Sequence, residues 1–199
     1  EIGRRKLARG RLSAYFAQLQ PLRIVMEACG SAHHWARVLG ALGHEVELLP
    51  AAQVRPFVRS NKDDAADARA IWLAAQQGDI RRVPQKSVEQ QAMLALHRTR
   101  SHWVSVRTAT VNSLRGLLYE FGVVVRGGRK AGLKALVEQR ALIEAQIPAT
   151  MRALVDGQLQ MLASIGQRID QLEREIAALQ RQLPAARELD RVPGIGVLG

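Results

Sequence analysis

Three closely spaced aspartates are the residues of this sequence best suited to chemistry. Asp63, Asp64 and Asp67 stand in the segment Asn61-Lys62-Asp63-Asp64-Ala65-Ala66-Asp67-Ala68, in a chain with 29 Lys and Arg against 18 Asp and Glu. Carboxylates this close repel one another, and a bound divalent cation is a common reason for tolerating that repulsion. On a helix, Asp64 and Asp67 share a face, as do Asp63 and Asp67, so either pair could bind one Mg²⁺. The alternative is that these acids only complement the positive end of the helix dipole.

A fourth acid, Glu27, follows a short apolar run. Residues 22–26 and 45–49 predict two strands, and residues 31–42 between them predict a helix that Ser31 caps and Gly43 closes. Strand, helix and strand form a βαβ unit, whose ligands collect at the carboxyl ends of its parallel strands. Glu27 therefore stands where α/β folds assemble catalytic groups, with an ordinary solvated turn residue as the alternative.

The acids need a helix to hold them. Asn61 or Ser60 is the expected N-cap of a helix that carries the aspartates and fades near Gly78. Upstream, residues 4–19 predict a basic helix that ends at Pro21. The pair His33 and His34 faces different sides of its helix, so joint metal ligation is not expected.

The charge of the chain points to an acidic partner. The formal net charge is +11 and the sequence pI is about 11.1, as expected of a protein that binds nucleic acid. Residues 95–135 hold eight Lys and Arg and one acid, a net charge of +7. The nucleic-acid-binding candidates are Lys62, Arg98, Arg100, Arg107, Asn112, Arg115, Arg126, Arg129 and Lys130. A solvated helix face is the alternative for this segment.

Two long helices are expected in the second half of the chain. The first runs from about 87 to 121, with Leu96, Trp103, Thr110, Leu114, Leu117 and Phe121 on its apolar face. The second carries a heptad seam formed by Met151, Val155, Leu162, Ile165, Ile169, Leu172, Ile176, Leu179 and Leu183, interrupted at Gln158. The seam predicts a coiled coil, either with a second copy of the chain or with an earlier helix such as 134–146.

Composition sets the class of the protein. An apolar content of 47% with 4% aromatic residues favours a helix-dominated α/β protein with a core of its own. The single Cys29 excludes an internal disulfide and a Cys-based zinc site, which is compatible with a reducing cytoplasm. Neither a membrane span nor a signal peptide is evident, so a soluble intracellular protein is expected.

Taken in order, several segments resemble the DEDD-type insertion-sequence transposases, which include bridge-RNA-guided recombinases and pilin-gene invertases. The segments are Val25-Met26-Glu27-Ala28-Cys29-Gly30, His34-Trp35-Ala36-Arg37, Gly43-His44-Glu45-Val46, Asn61 to Ala68, Arg115-Gly116-Leu117-Leu118, Glu120-Phe121-Gly122 and Val192-Pro193-Gly194-Ile195-Gly196. The resemblance implies a partial RuvC-like, RNase H-like catalytic domain over 1–126 that includes a basic helical region, 87–126. It also implies a coiled-coil domain over 127–188 and the start of a C-terminal transposase domain over 189–199.

The same resemblance assigns roles to the acids. Glu27, Asp64 and Asp67 correspond to the second, third and fourth acids of a site that holds Mg²⁺ or Mn²⁺, and the three are expected to approach within metal-bridging reach. Asp63 occupies a variable position and is expected to be a neighbour of the site. The first acid is expected upstream of residue 1, and a serine nucleophile downstream of residue 199. The fragment alone is therefore expected to be inactive in strand exchange.

The resemblance also implies partners. They are DNA, a guide RNA in some members, and further copies of the chain in a homodimer or homotetramer. Two other functions stay open on the residues alone. One is a non-catalytic helical nucleic-acid-binding protein whose acids only cap a helix. The other is a coiled-coil assembly module without nucleic acid.

Overall fold

The computed structural model describes residues 5–58, 63–125 and 132–182, and it divides the chain into two compact units, Glu1–Val88 and Glu89–Gly199. The expected domain boundaries after residues 126 and 188 fall outside the described residues. The segment from Val192 to Gly196 does so as well.

The first unit contains a small parallel sheet with short helices around it. Its strands are β1 (Arg23–Glu27) and β2 (Glu45–Leu49), and its helices are α1 (Leu12–Phe16), α2 (Ala32–Ala41), α3 (Ala51–Val54) and α4 (Asp64–Ala75). The strands pair in parallel, with Val25 opposite Glu47 and Glu27 opposite Leu49. The expected βαβ unit is confirmed, and β1 is displaced by one residue from the expected 22–26.

Helices lie on both faces of this sheet. Side chains alternate along a strand, so neighbouring residues enter different apolar clusters. Met26 and Leu48 pack with Ala32 and Ala36 of α2. Val25 and Leu49 join the cluster of Ala70 and Ala74 on α4. The two strands are therefore held between α2 and α4.

The end of α2 follows from a glycine. Gly43 has a φ of 91°, a conformation that costs glycine little. The next residue, His44, donates its backbone N–H to the carbonyl of Leu39 at 3.2 Å, which closes the helix. The His44 ring is buried and bonded on both sides: Nδ1 accepts from the Leu22 N–H at 3.1 Å, and Nε2 lies 3.0 Å from the Phe16 carbonyl oxygen.

The basic helix predicted over residues 4–19 is longer than the helix that the structure contains. A 3-10 turn occupies Arg9–Arg11, and α1 covers only Leu12–Phe16. Gly10 lies within that turn, and glycine lowers the stability of a helix interior by about 1 kcal/mol relative to alanine.

An ion-pair network joins β1, β2 and the segment after α4. Glu47 binds Arg23 at 2.6 Å and Arg82 at 2.6 Å. The hydrogen bond from Arg23 lowers the pKa of Glu47 against the opposing effect of burial, and the bond from Arg82 lowers it further. Arg82 also donates to the carbonyl of Ala75 at 3.0 Å, so it attaches the last turn of α4 to the sheet.

The second unit is built from helices. They are α5 (Val88–Glu120), α6 (Gly132–Glu138), α7 (Arg140–Gln146) and α8 (Ala149–Gln182). Arg100 binds Glu173 at 2.7 Å, and the guanidinium of Arg168 lies over the ring of Trp103 at 5.9 Å. As α5 advances from 100 to 103, its partner on α8 retreats from 173 to 168, so the two helices run antiparallel.

The apolar seam of α8 packs within the chain. Val155, Leu159 and Leu162 share a buried cluster with residues of the three other helices: Val111, Leu114 and Leu118 of α5, Leu136 of α6 and Ile143 of α7. Leu159 was not among the expected seam residues, and it carries the apolar stripe past Gln158. Helix α8 thus packs against earlier helices of the same chain, which was one of the two expected alternatives. Helix α5 is a partner in addition to those at 134–146. A coiled coil between copies stays a prediction.

The residues that α5 buries differ in part from the predicted apolar face. Leu114 is buried as expected, but Val111 and Leu118 are buried in place of Thr110 and Leu117, and Phe121 is exposed. A straight helix drifts about 20° for every seven residues, so a face extrapolated at seven-residue steps turns away from the core.

The described part of the chain has no helix with both the length and the apolar character that a bilayer crossing requires.

Candidate functional site

Glu27 ends strand β1 at a tight turn. Its side chain is half-buried, and its carbonyl accepts the backbone N–H of Cys29 at 2.8 Å. The next residue, Ala28, donates its N–H to Leu49 at 2.8 Å, so the sheet pairing extends one residue past Glu27. Glu27 thus occupies the carboxyl end of a parallel strand, which is where α/β proteins place ligand-binding groups.

Asp63 is the N-cap of α4. One of its carboxylate oxygens, Oδ1, accepts the backbone N–H groups of Ala65 and Ala66, both at 2.8 Å. The expectation that Ser60 or Asn61 caps this helix is wrong, because the helix begins at Asp64. The capping bonds occupy Oδ1 of Asp63, and its place as a neighbour of the site stays a prediction.

The other two aspartates lie in the first turn of α4. Asp64 is exposed and Asp67 is half-buried. No side-chain hydrogen bond or ion pair of the described residues involves either carboxylate. Their place in the first turn lets both carboxylates stabilise the helix through its dipole.

The direction of α4 brings its first turn toward the end of β1. The last turn, at Ala75, is attached through Arg82 to Glu47, which also binds Arg23 at the beginning of β1. One turn earlier, Ile71 lies in the same apolar cluster as Val25. Continuing toward its N-terminus, the helix carries the aspartates in the direction in which β1 runs to Glu27.

This shared direction does not produce a formed metal site. Among the described residues, no three or more His, Cys, Asp or Glu side chains are grouped so as to hold a metal ion. The expected close approach of Glu27 to Asp64 and Asp67 is thus not found in this structure. Carboxylate oxygens are the donors that Mg²⁺ prefers, so the residue types fit the ion.

A shallow cavity lies between α4 and β1. Its volume is about 330 Å³, and it is lined by Arg23, Val25, Ala68, Ile71, Trp72, Ala75 and Gln76. None of the three acids lines it.

The basic candidates differ in their surroundings. Arg98 and Asn112 are exposed on α5, and Arg107 and Arg115 are half-buried. Arg100 pairs with Glu173 through two nitrogens, so part of its charge is neutralised within the unit. Lys62, Arg126, Arg129 and Lys130 lie outside the described residues.

Two threonines that could have served as donors on α5 are engaged in the helix itself. The hydroxyls of Thr108 and Thr110 donate to the carbonyls of Val104 and Val106, each at 2.9 Å. Such bonds to the preceding turn are common for threonine in helices and leave only acceptor capacity for a ligand.

Comparison with known proteins gives a consistent result. A family model of the DEDD type named after IS110, described as a transposase, matches residues 4–122. The chain is 45% identical over 196 residues to a probable family 20 transposase of Pseudomonas aeruginosa, covering 98% of this chain and 58% of that protein. It is 35% identical over 198 residues to the putative transposase y4pF/y4sB of Sinorhizobium fredii, covering 100% of this chain and 51% of that protein.

A further relative is the transposase for insertion sequence element IS1111A of Coxiella burnetii, with 33% identity over 194 residues. That alignment covers 98% of this chain and 53% of the relative. The chain therefore spans between about half and three fifths of the length of the curated relatives it matches.

Proposed function

This chain belongs to the IS110-type DEDD transposases, and from that membership we propose that it is the part of a DNA recombinase that contains an acidic metal site and a basic nucleic-acid-binding region. The reaction would be the cleavage and exchange of DNA strands. The proposal rests on the family and on the chemistry of the residues described above.

Glu27, Asp64 and Asp67 are the residues proposed to hold Mg²⁺ or Mn²⁺. When bound, such an ion polarises a phosphodiester and neutralises charge that develops on it. The observation that carries the proposal is the direction of α4, which takes Asp64 and Asp67 toward the end of the Glu27 strand. A movement of α4, or an additional acid, would be needed to complete a ligand set.

The basic surface of α5 is proposed to bind the nucleic acid. Arg98 and Asn112 are exposed on that helix and can reach phosphate and sugar oxygens. Arg107 and Arg115, with Lys62, Arg126, Arg129 and Lys130, are further candidates. Arg100 is a weaker one because of its bond to Glu173.

Other parts of the activity are proposed to need more than this chain. By resemblance, a serine nucleophile and a first acid belong to segments outside residues 1–199, so the chain alone would not exchange strands. A guide RNA and an assembly of two or four copies in the cytoplasm are proposed on the same basis.

A second function is favoured by a specific observation. Asp63 caps α4, and the described acids form no metal-holding group. Both facts suit a nucleic-acid-binding protein in which the acids serve only the helix. In that case nucleic-acid affinity would be independent of Mg²⁺ and of Asp67.

A binding experiment separates the two functions. The chain and its Asp67→Asn variant are titrated with branched DNA, with Mg²⁺ or with EDTA. The recombinase proposal expects tighter binding by wild type in Mg²⁺ than in EDTA, and it expects Asp67→Asn to remove that difference. If both proteins bind equally in both buffers, the non-catalytic function is the better account. Arg98→Gln serves as a control for charge, because it should weaken binding in both buffers.

A further inference from the structure

A basic cluster stands apart from the acids and from α5. It consists of His33 and Arg37 on α2 and of Lys86, in the segment between α4 and α5. Residues 33 and 37 are four apart and so share a face of the helix. Arg37 donates from Nη1 to the carbonyl oxygen of Lys86 at 2.6 Å.

Lys86 is held by His33 as well. Its backbone N–H donates to Nδ1 of His33 at 3.2 Å, and its Nζ lies 2.8 Å from Nε2 of the same ring. Both ring nitrogens therefore face nitrogen atoms of Lys86, and a doubly protonated imidazole would have no acceptor there. Burial lowers the pKa of His33, and the charges of Lys86 and Arg37 lower it further. A neutral ring that accepts at Nδ1 has its proton on Nε2, so its hydrogen bond is to the Lys86 backbone and fixes the position of that residue beside α2.

Among the residues with described positions, the two cations of this cluster are not neutralised. In the described ranges, no carboxylate pairs with Arg37 or Lys86, whereas Arg23 and Arg82 of the same unit share Glu47. Both side chains are only partly accessible. Two positive charges that are partly desolvated and lack a counter-ion favour the binding of an anion.

The chemistry of the pair favours phosphate. An arginine supplies a planar fork of donors and a lysine supplies a compact charge, a combination that matches the oxygens of a phosphate group. The bond to the Lys86 carbonyl holds the guanidinium of Arg37 beside Lys86, so less side-chain entropy of Arg37 is lost on binding.

We propose that Arg37 and Lys86, whose backbone is bound by Arg37 and by the ring of His33, form a binding site for a backbone phosphate of nucleic acid. This proposal rests on the proposed function, since it assumes that the chain binds nucleic acid. It adds a contact in the first unit, remote in sequence from the basic segment 95–135.

The test measures how the affinity for duplex DNA of random sequence depends on salt concentration. Loss of one phosphate contact should reduce the slope of log affinity against log salt by about 1. Lys86→Gln is expected to lower the slope by that amount, and Lys86→Arg to retain it. Arg81→Gln is the matched control, because Arg81 lies in the same segment, is exposed and is outside the cluster. Circular dichroism establishes that each variant is folded.

A second measurement needs no variant. Inorganic phosphate is added to the wild-type chain, and the imidazole ring signals of His33 and His34 are followed by NMR. The proposal expects the His33 signals to shift in a saturable way, and those of the exposed His34 to stay in place.

The outcomes are distinct. Equal slopes for Lys86→Gln and Arg81→Gln overturn the phosphate site while leaving nucleic-acid binding intact. A phosphate-dependent shift of His33 without a change of slope also overturns it, since the site would then bind free phosphate only. Failure of the wild-type chain to bind DNA at all contradicts the proposed function itself.

Discussion

The aspartates at the start of α4 have different roles. Asp63 accepts two backbone N–H groups, while Asp64 and Asp67 keep their carboxylates free of protein partners in the described structure. The sequence could place all three on one helix, but it could not decide which one begins the helix. Two neighbouring aspartates have equal N-cap propensity, and only the backbone conformation selects one.

Removal of the cap should destabilise the first unit. Asp63→Ala is expected to lower the free energy of unfolding by about 0.5–2 kcal/mol, because two N–H groups of the first turn lose their acceptor. Urea unfolding followed by circular dichroism measures this change. Asp63→Asn is the control: it keeps a capping oxygen and should retain most of the stability. Equal losses in the two variants would show that the charge matters and the cap does not.

The network at Glu47 should make stability depend on pH. Its pKa is lowered in the folded chain, first by the hydrogen bond from Arg23. The corresponding stability is complete above the ordinary pKa of 4.5 and is lost as the pH falls through the lower folded value. Glu47→Gln is expected to cost about 1–2 kcal/mol at neutral pH, a modest figure because Arg23 is half exposed.

Unfolding of wild type and Glu47→Gln at neutral pH and at about pH 3 checks this sign. The two proteins should converge in stability at the lower pH. Asp79→Asn, which changes an exposed acid of the same unit outside this network, should behave like wild type at both values. A constant difference between Glu47→Gln and wild type across the pH range would contradict the ion-pair account.

At the scale of elements, the two strands and α2 could be predicted from short sequence patterns. Residues 45–49 alternate and stop at a proline, and Gly43 closes the preceding helix in the expected conformation. The apolar stripe of α8 could be predicted from the sequence, but the helices against which it packs could not. An apolar stripe records that a face is buried, whereas the packing against α5, α6 and α7 depends on contacts distant in sequence.

The buried seam of α8 offers a direct test of that packing. Leu162 is fully buried and its neighbour Met161 is 46% exposed. Leu162→Ala should lower the free energy of unfolding by about 2–5 kcal/mol through the cavity it leaves. Met161→Ala, on the same helix, should change it by less than about 0.5 kcal/mol. Thermal unfolding followed by the fluorescence of Trp103 and the other tryptophans would measure both; similar losses would contradict this orientation of α8.

The two arginines near the start of α5 should also differ. Arg100→Gln removes the partner of the half-buried Glu173 and is expected to destabilise the second unit by about 1 kcal/mol. Arg98→Gln should leave stability unchanged and reduce the salt dependence of nucleic-acid binding by about 1 in slope. Unfolding and DNA-binding measurements on both variants check the distinction. A reversal of the two effects would exchange their proposed roles.

At the scale of the whole molecule, sequence and structure agree on a helix-dominated α/β chain. The acids were readable because crowded carboxylates are unusual in a chain of net charge +11. The distances between these acids could not be predicted, since they depend on how α4 packs on the sheet. The cluster at Lys86 was missed for a related reason: His33, Arg37 and Lys86 come together only when the segment after α4 returns to α2.

The central claim is that Asp64 and Asp67, with Glu27, hold a divalent cation, and Mn²⁺ binding tests it most directly. The wild-type chain is titrated with Mn²⁺, and the bound ion is measured by electron paramagnetic resonance. The account predicts binding that is lost in the Asp64→Asn, Asp67→Asn double variant and in Glu27→Gln. Asp63→Asn removes a neighbouring charge but keeps the cap, and it should bind as wild type does. Binding that survives in the double variant, or that Asp63→Asn abolishes, would contradict the account.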